Sequence, residues 1–406
     1  MKRVAKMIAL LLALCLLAGM LAGCTEQNAP AANGAEEPPA TVDAGKETEK
    51  EAEKEAGGNG IRIGVCNAYI GNAWRAQMLE GLDLAIEELK AEGLVEDVQV
   101  VSTNNDVTEQ LSQINAFIAD GVDALLINAV SYESLGTVIE TAREAGIEVF
   151  IFNDPAAYEG TTCITVDGVS IWKVQVQWFM EQFPEGGDIV YLSGIAGNSV
   201  DNQRNDIMKE ALDQHPEINL LTQAPANWDQ AEGQSVMSNL LAAYDKIDGV
   251  IGQDGIQEGI LRAYENAGVP YPATMLADFV GGFLNKWASD APDMNCMVAT
   301  YPPSVGYNAL YICAYMMNGR QLKDGVLQPN SLNPDLVNTI YVQTPYIITK
   351  DKATGTESWL NGIDISQTEL ISLEEAIEIL DGAPSTTAIT KNWSKEIVED
   401  FFVPAN

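Results

Sequence analysis

The segment VFIFNDPAA, residues 149–157, decides the fold class because it joins a buried strand to a polar tip. Its four apolar residues run directly into Asn153, Asp154 and Pro155. Such a run is typical of a strand buried on both faces, and Pro155 ends it because proline has no backbone N–H to donate to a sheet. In an open parallel sheet, ligands bind beyond the carboxyl ends of the strands. We therefore expect Asn153 and Asp154 to face a binding site.

The rest of the chain repeats this pattern from Ile61 onwards. Amphipathic stretches alternate with short apolar runs, and the runs predict strands at 61–66, 98–102, 124–128, 148–152, 188–192, 250–252 and 274–277. The longest stretch, residues 73–92, places Met78, Leu82 and Leu89 on one helical face. Repeated strand–helix–strand units predict an α/β fold with parallel sheets covered on both faces.

Two parts of the chain share a sequence pattern that predicts two similar lobes. VDALLINAV…TAREAGIEV (residues 122–149) and IDGVIGQDG…AYENAGVPY (residues 247–271) each read as strand, helix, Ala-Gly and a β-branched residue. Two similar halves in one chain indicate a cleft between them. Ala-Gly after a helix is also a common C-cap, so chance similarity stays open.

The N-terminus predicts export and a lipid anchor. Lys2, Arg3 and Lys6 precede an apolar run that ends in Leu-Ala-Gly-Cys at residues 21–24. This ending resembles the bacterial lipobox, which implies a signal peptide at 1–23 and acylation of Cys24. A plain signal peptide with a chance cysteine is the alternative. We expect an extracytoplasmic protein that is held on a bacterial membrane by lipid alone.

Composition limits the partners. Residues 24–60 begin with the cysteine and continue rich in Glu, Ala, Lys, Pro and Gly, which predicts a disordered acidic tether. The formal net charge is −36, and removal of residues 1–23, with three basic and no acidic residues, takes it to −39. This excess of negative charge argues against nucleic acid and against anionic membrane surfaces as partners.

No catalytic signature occurs in the sequence. It contains neither GxGxxG after a strand, nor GxxxxGK[ST], nor GxSxG, and His215 is its single histidine. Cys66, Cys163, Cys296 and Cys313 lie in apolar patterns without CxxC spacing, so we expect core residues rather than ligands. The sequence thus predicts a binder with no catalytic residue, no metal and no cofactor.

Several ordered motifs resemble the type I periplasmic binding proteins, most closely the ribose- and galactose-type sugar binders of ABC importers. They are NAYIGNAWRAQMLEGLDLA, INAV, LSGIAGNSVDNQR, PANWDQAEG and TMLADF. The resemblance implies two Rossmann-like lobes with parallel sheets, joined by three hinge crossings. We expect an N-terminal lobe at 61–167 plus 301–340, a C-terminal lobe at 168–300 plus 341–350, and a C-terminal extension of open role at 351–406.

The resemblance also implies ligand-binding residues in the first half of the chain. Asn72 and Trp74 match positions that contact the sugar, although Asn72 would equally cap a helix and Trp74 would equally pack in the core. Asn153 and Asp154 match a polar pair at the end of the fourth strand. Asp154 stands where the family usually has a cation, which puts the sugar in doubt and favours an amine-bearing ligand; it would also suit a turn with Pro155.

Five further positions follow from the same resemblance. Arg204 matches an arginine that binds adjacent hydroxyls, and Trp228 matches an aromatic residue that stacks on the sugar. Asp254 matches a position that is usually Asn, and Asp278 matches an acidic residue of the family. Thr300 matches the last contact, in a hinge strand. An arginine in this place is ordinarily solvated and a tryptophan at a strand end can simply pack on its lobe. Taken together, the three carboxylates are expected to face Arg204 as the one cation.

These observations predict a monomeric lipoprotein that captures a monosaccharide between its lobes and delivers it to an ABC permease. It would have no enzymatic activity. Two alternatives stay open: a binder of a non-sugar amine or a nucleoside, and a sugar sensor that docks on a membrane receptor.

Overall fold

The computed structural model describes residues 60–390 and 393–404, all within the compact unit Ala56–Asn406. The predicted signal peptide, the lipidation of Cys24 and almost all of the predicted tether lie outside the described residues. Within them, none of the helices combines the length and the apolar character needed to cross a bilayer.

Fourteen strands form two sheets. In chain order they are β1 (Arg62–Asn67), β2 (Asp97–Ser102), β3 (Ala124–Ile127), β4 (Glu148–Phe152), β5 (Thr161–Val166), β6 (Gly187–Ser193), β7 (Ile218–Pro225), β8 (Gly249–Gly252), β9 (Thr274–Leu276), β10 (Asn295–Ala299), β11 (Gln328–Asn330), β12 (Asn333–Val342), β13 (Tyr346–Thr349) and β14 (Glu369–Ser372). Most are apolar and buried on both faces, as in β3 and β8, which requires layers of helices on each side.

Eleven α-helices are present in the described residues. They are α1 (Ala73–Ala91), α2 (Val107–Asp120), α3 (Gly136–Glu144), α4 (Gly168–Glu181), α5 (Ser199–Gln214), α6 (Gln230–Ala243), α7 (Gln257–Ala267), α8 (Gly281–Asp290), α9 (Val305–Met317), α10 (Leu373–Ile379) and α11 (Lys395–Glu399). Short 3₁₀ turns occupy Tyr132–Ser134 and Ser358–Leu360. Seven of the α-helices begin at a side-chain cap, among them α1 at Asn72, α5 at Asn198 and α6 at Asp229, whose oxygens accept otherwise unpaired amides.

Each sheet belongs to one lobe. The order in lobe 1 is β11-β12-β5-β4-β3-β1-β2, and in lobe 2 it is β14-β13-β10-β9-β8-β6-β7. Neighbouring strands are parallel except at β11–β12 and β10–β13. The two segments with a similar pattern form β3-α3 and β8-α7 and lead into β4 and β9, and these units occupy corresponding places in the two orders. The predicted α/β fold of two Rossmann-like lobes is therefore confirmed, with one antiparallel pairing in each sheet.

The chain passes between the lobes three times along the hinge, after β5, after β10 and after β12. The layers around the sheets bury large side chains completely, among them Trp172, Trp287 and Phe279. Each such residue contributes roughly 1.5–3 kcal/mol by leaving water. All four cysteines of the described part are buried and free of disulfides.

The C-terminal extension belongs to both lobes. Strand β14 pairs in parallel with β13 at the edge of the lobe 2 sheet. Helix α10 follows it, begun by a reciprocal capping box between Ser372 and Glu375. The last described residues lie on lobe 1, where Phe402 is completely buried and pairs with Leu322 in an antiparallel bridge. The extension thus contacts both lobes and connects them in addition to the three hinge segments.

Candidate functional site

A cavity of about 430 Å³ lies between the carboxyl ends of the strands of both lobes. This volume falls in the range of about 300–1,000 Å³ that is usual for small-molecule sites. Eight of the nine ligand-binding residues predicted from the sequence line the cavity, and they come from six separate segments: Asn72, Trp74, Asn153, Asp154, Arg204, Trp228, Asp254 and Asp278.

Asn153 turns the end of β4 into the cavity. Its φ of 65° is left-handed, a conformation that Asn adopts more readily than most residues. Its Nδ2 donates to Oδ1 of Asp154 at 2.7 Å, whereas its buried Oδ1 has no hydrogen-bond partner among the described residues. A buried acceptor without a partner is costly, and this oxygen exposes almost no surface of its own.

Asp154 is paired with a cation that the sequence interpretation missed. Nη2 of Arg75 lies 3.3 Å from Oδ2 of Asp154, and Nη1 donates to Oδ1 of Asn128 at 2.5 Å. Asn128 in turn donates to Oδ2 of Asp154 at 3.1 Å. The expectation that Arg204 would be the one cation facing the three carboxylates is therefore wrong: the cation that is absent at residue 154 comes from helix α1 instead.

Asp154 also touches the other lobe. Nδ2 of Asn198, the cap of helix α5 in lobe 2, lies 3.4 Å from Oδ2 of Asp154. Both side chains are buried. The lobes consequently meet through polar groups at the base of the cavity.

Arg204 is held by a second ion pair. Its Nη2 donates to Oδ2 of Asp254 at 2.7 Å, and its guanidinium lies 4.9 Å from the centre of the Trp172 ring. The Trp172 indole also donates to the backbone carbonyl of Arg204 at 3.0 Å. The buried Nε of Arg204 has no hydrogen-bond partner among the described residues.

Trp228 forms a rigid aromatic wall. Its backbone is left-handed at φ 54°, and its Nε1 donates to Oε1 of Gln253 at 2.9 Å. Gln253 is itself fixed, because its Nε2 donates to Oδ1 of Asp201 at 2.8 Å and to the Tyr191 hydroxyl at 2.6 Å. The indole lies directly over Gly194, where an added Cβ would come within 2.3 Å of the ring.

Trp74 forms the second aromatic wall, next to the hinge. Its Nε1 donates to the carbonyl of Tyr301 at 2.7 Å, and the two rings meet edge to face at 5.8 Å. The Tyr301 hydroxyl donates to the carbonyl of Asn153 at 3.0 Å. Asn72 uses its Oδ1 to accept the amide of Arg75 at 2.9 Å, so the capping role considered from the sequence is present in the structure.

Asp278 is almost completely buried beside the cavity. Its oxygens accept the amides of Phe279 at 2.8 Å and Gly255 at 3.1 Å. Burial, reinforced by the nearby charge of Asp254, raises the pKa of Asp278 to about 7. Near neutral pH this carboxyl group is present in both protonation states, and it can accept or donate a hydrogen bond.

Thr300 is not among the residues that line the cavity. Its hydroxyl donates to the carbonyl of Tyr346 and accepts the amide of the same residue, both at 3.1 Å. These bonds join two hinge segments. The neighbouring Tyr301 reaches the cavity instead.

The sequence interpretation missed several lining residues besides Arg75 and Tyr301. Glu258 and Arg262 form an ion pair of 2.7 Å on helix α7, and Asp229 caps helix α6. Ser385 and Thr386 come from the C-terminal extension. Arg75 lay within a segment that the motifs already marked, whereas no sequence pattern pointed to residues 385 and 386.

This arrangement suits a small polyhydroxylated molecule. Two indoles line the cavity and suit the apolar C–H side of such a ligand, while Asn153, Arg204 and Asp254 bring polar side chains for its hydroxyl groups. Within the described residues, no group of three or more His, Cys, Asp or Glu side chains is placed to hold a metal ion.

Comparisons with known proteins agree with this geometry. Residues 63–321 match the family model described as periplasmic binding protein domain. The xylitol-binding protein of Mycolicibacterium smegmatis is 30% identical over 214 residues, which are 51% of this chain and 58% of that protein. The ribose import binding protein of Escherichia coli is 26% identical over 236 residues, which are 58% of this chain and 79% of that protein.

Solved structures show the same fold. The ABC transporter solute binding protein from Thermobispora bispora superimposes with a TM-score of 0.62 at 22% identity, covering 79% of this chain and 95% of that chain. The matched family model extends over both lobes and over every cavity residue from Gly71 to Tyr301. The chain therefore belongs to the family of type I periplasmic binding proteins.

Proposed function

We propose that this protein captures a neutral monosaccharide or a related polyol between its lobes. The observation that carries the proposal is the pair of indoles, Trp74 and Trp228, on a cavity that also contains two internally balanced ion pairs. A sugar ring buries its C–H face on an indole while its hydroxyl groups reach polar atoms at the edge.

Charge balance supports a neutral ligand. Arg75 neutralises Asp154, and Arg204 neutralises Asp254, so neither carboxylate requires a cation from the ligand. The remaining buried acid, Asp278, is partly protonated near neutral pH because its pKa is raised to about 7. The ionised carboxylate forms a charge-assisted hydrogen bond with a sugar hydroxyl, and the protonated carboxyl group forms an ordinary neutral one.

A second candidate, an amine-bearing ligand, is favoured by Asp278 itself. Among the described residues it pairs with no Lys or Arg side chain within 4.0 Å. An ammonium group at this place would stabilise the ionised carboxylate. The two candidates differ in a measurable way, since an amine would lower the pKa of Asp278 and a neutral sugar would not.

We further infer that the chain works outside the cytoplasm as a monomeric lipoprotein that delivers its ligand to an ABC permease. The leader at 1–23, the Leu-Ala-Gly-Cys motif ending at Cys24 and membership of a periplasmic binding family support this inference. The cavity carries no catalytic arrangement that we recognise, so we propose no enzymatic activity. A role as a sensor that docks on a membrane receptor uses the same ligand site.

A thermal-shift panel on the full chain tests the ligand. It should contain D-ribose, xylitol, hexoses, myo-inositol, nucleosides and polyamines, with calorimetry for every compound that raises the melting temperature. A ligand at one hundred times its dissociation constant stabilises the folded state by about 2.7 kcal/mol. The Trp228→Ala variant should lose this shift, whereas the exposed control Asp97→Asn should keep it. A response to polyamines alone would overturn the sugar assignment.

Localisation and delivery need separate tests. Mass spectrometry of the N-terminal peptide should find diacylated Cys24, and the Cys24→Ser variant should leave the membrane fraction. Uptake of the radiolabelled ligand should then depend on the wild-type chain and on a permease of the same cell. Normal uptake without the chain would favour the sensor.

A further inference from the structure

The C-terminal extension borders the cavity with a short segment, residues 385–389, which we call the tail strip. It begins in a turn at Ser385 and Thr386 and is extended from Thr387 onwards. The tail strip lies along the segment that follows strand β9 in lobe 2. The amide of Gly281 donates to the carbonyl of Thr387, and the amide of Ile389 donates to the carbonyl of Phe279, each at 2.9 Å. One edge of the tail strip is therefore bound to lobe 2.

The other edge is bound by one side chain of lobe 1. Gln77, on helix α1, accepts the amide of Ala388 at 2.8 Å and donates to the carbonyl of Ala388 at 3.1 Å. In an extended chain the peptide groups of successive residues face opposite sides. The backbone groups of Thr387 and Ile389 therefore form hydrogen bonds with lobe 2, while those of Ala388 form hydrogen bonds with lobe 1. Ala388 and Ile389 are both buried.

Beyond the tail strip, the chain is fastened to lobe 1. Phe402 is completely buried, with its ring 5.4 Å from that of Tyr315, and Leu322 pairs with Phe402 in an antiparallel bridge. Glu399 accepts from the Tyr315 hydroxyl at 2.8 Å and forms an ion pair of 2.5 Å with Arg320. These contacts are made by the last described residues of the chain, which we call the tail anchor.

Chain length limits how far the lobes can part here. Trp393 packs against helix α1 of lobe 1, where a Cβ on Gly81 would lie 3.5 Å from the indole. Ile389, bound to lobe 2, precedes Trp393 by four residues. Four residues of fully extended chain reach about 14 Å at most. Wider separation at this rim requires that the tail strip or the tail anchor comes off its lobe.

We propose that the tail strip is a second connection between the lobes, separate from the hinge, and that Gln77 acts as its latch. The cavity then exchanges its ligand only when Gln77 releases Ala388. Ser385 and Thr386 line the cavity, so the same segment forms part of the rim past which a ligand moves. The identity of the ligand rests on the proposed function, whereas the latch acts in the ligand-free protein and can be tested there.

The opening of the ligand-free full chain can be measured by single-molecule energy transfer. Dyes coupled to non-canonical residues at Glu140, on α3 of lobe 1, and at Asn239, on α6 of lobe 2, report the distance between lobes; both positions are exposed. The variants are Gln77→Ala, Gln77→Glu and the matched control Gln113→Ala, on helix α2 of the same lobe. Thermal melting of each variant shows whether it is folded.

The wild type and Gln113→Ala should stay predominantly at the short distance. Gln77→Ala should raise the ratio of open to closed molecules about tenfold, which corresponds to about 1.4 kcal/mol. Gln77→Glu keeps the acceptor for the Ala388 amide and loses the donor, so it should shift the ratio in the same direction. A wild type that is mostly open without ligand, or folded Gln77 variants that match Gln113→Ala, would overturn the proposal. Since no ligand is added, these outcomes are independent of the thermal-shift panel.

Discussion

Nη2 of Arg75 lies 3.3 Å from Oδ2 of Asp154, and both side chains are more than nine-tenths buried. The pair joins the first turn of helix α1 to the tip of strand β4, 79 residues later in the chain. Asn153, Asn128 and Asn198 supply the remaining donors to this carboxylate. A buried ion pair of this kind contributes little net free energy, yet the loss of one partner leaves an isolated charge in the interior.

The first prediction removes the cation of this pair. Arg75→Met should lower the free energy of unfolding by about 3 kcal/mol, at the lower end of the usual range because three amides still bind Asp154. The double variant Arg75→Met/Asp154→Asn should recover much of the loss, since no unpaired charge remains. Urea denaturation of the two single variants and the double variant measures the coupling.

The exposed pair of Lys90 and Asp97, at 3.1 Å, supplies the control. Lys90→Met should cost less than about 1 kcal/mol because solvent screens this pair. If Arg75→Met costs no more than Lys90→Met, the Arg75–Asp154 pair is not a buried structural contact.

The second prediction concerns pH. The pKa of Asp278 is raised to about 7 by burial and by the charge of Asp254, so the folded state holds a proton that the unfolded state releases. The stability due to this proton is fully present below the unfolded pKa near 4 and is lost as pH rises towards 7. Asp278→Asn removes this dependence of stability on pH. The free energy of unfolding of the variant, relative to that of the wild type, should therefore rise from pH 4 to pH 7 by up to about 4 kcal/mol and then stay constant.

Urea denaturation of the wild type and of Asp278→Asn at pH 5, 6, 7 and 8 tests this prediction. Asp97→Asn is the matched control, because its exposed carboxylate has a pKa below the ordinary value, owing to hydrogen bonds from Lys90 and Gln99. Its effect should be flat between pH 5 and 8. If the difference in unfolding free energy between Asp278→Asn and the wild type is also independent of pH, Asp278 titrates as an ordinary aspartate.

The third prediction tests how the Trp228 wall is positioned. The indole lies over Gly194, and a Cβ at that position would come within 2.3 Å of it, so Gly194→Ala forces the ring to move. We expect a loss of about 1–3 kcal/mol in unfolding free energy, as for other overpacked sites. Calorimetry with the compound identified by the thermal-shift panel should show at least about a tenfold loss of affinity, equal to about 1.4 kcal/mol.

Gly136→Ala is the control for this variant, because a Cβ there would meet Tyr158 at an ordinary distance of 3.5 Å. It should leave ligand affinity unchanged. Unchanged affinity in folded Gly194→Ala would mean that Trp228 does not contact the ligand.

Much of this architecture was predictable from local pattern. Apolar runs such as VFIF at residues 149–152 predicted strands, and helix α1 was expected at 73–92 and is found at Ala73–Ala91. Strand β5, with the sequence TTCITV, was missed because four of its six residues are threonine or cysteine. It is a strand in the structure because it pairs with both β4 and β12.

Residues of the site could be predicted where one position in the sequence was enough to assign them, but contacts between distant residues could not. Asn153 could be assigned to the cavity because it follows a buried strand and strand ends converge there, whereas Asp278 was assigned through its match to a family position. The pairing of Arg75 with Asp154 depends on tertiary contact between distant segments, which neither residue signals by itself. The tail strip could not be predicted for the same reason. Its Ser, Thr and Ala residues are typical of an exposed loop, and its backbone hydrogen bonds are to the distant segment that follows β9.

The last prediction concerns the tail anchor. The Phe402 ring is completely buried against Tyr315, and the guanidinium of Arg320 lies 5.0 Å from its centre. Truncation of a buried Phe to Ala typically costs about 3–5 kcal/mol through lost burial and a residual cavity. If the extension folds together with lobe 1, Phe402→Ala should lower the free energy of unfolding by this amount in a single transition. Val403→Ala, at a neighbouring side chain that is 46% exposed, should change it by less than about 0.5 kcal/mol.

Hydrogen exchange followed by mass spectrometry separates the two ways in which Phe402→Ala can act. Faster exchange confined to residues 385–403 would show that the extension detaches while the lobes stay folded. Faster exchange throughout lobe 1 would show that the tail anchor is part of its cooperative core. Equal stability and equal exchange for Phe402→Ala and Val403→Ala would contradict the docking of Phe402, because a ring without packing partners has no burial to lose.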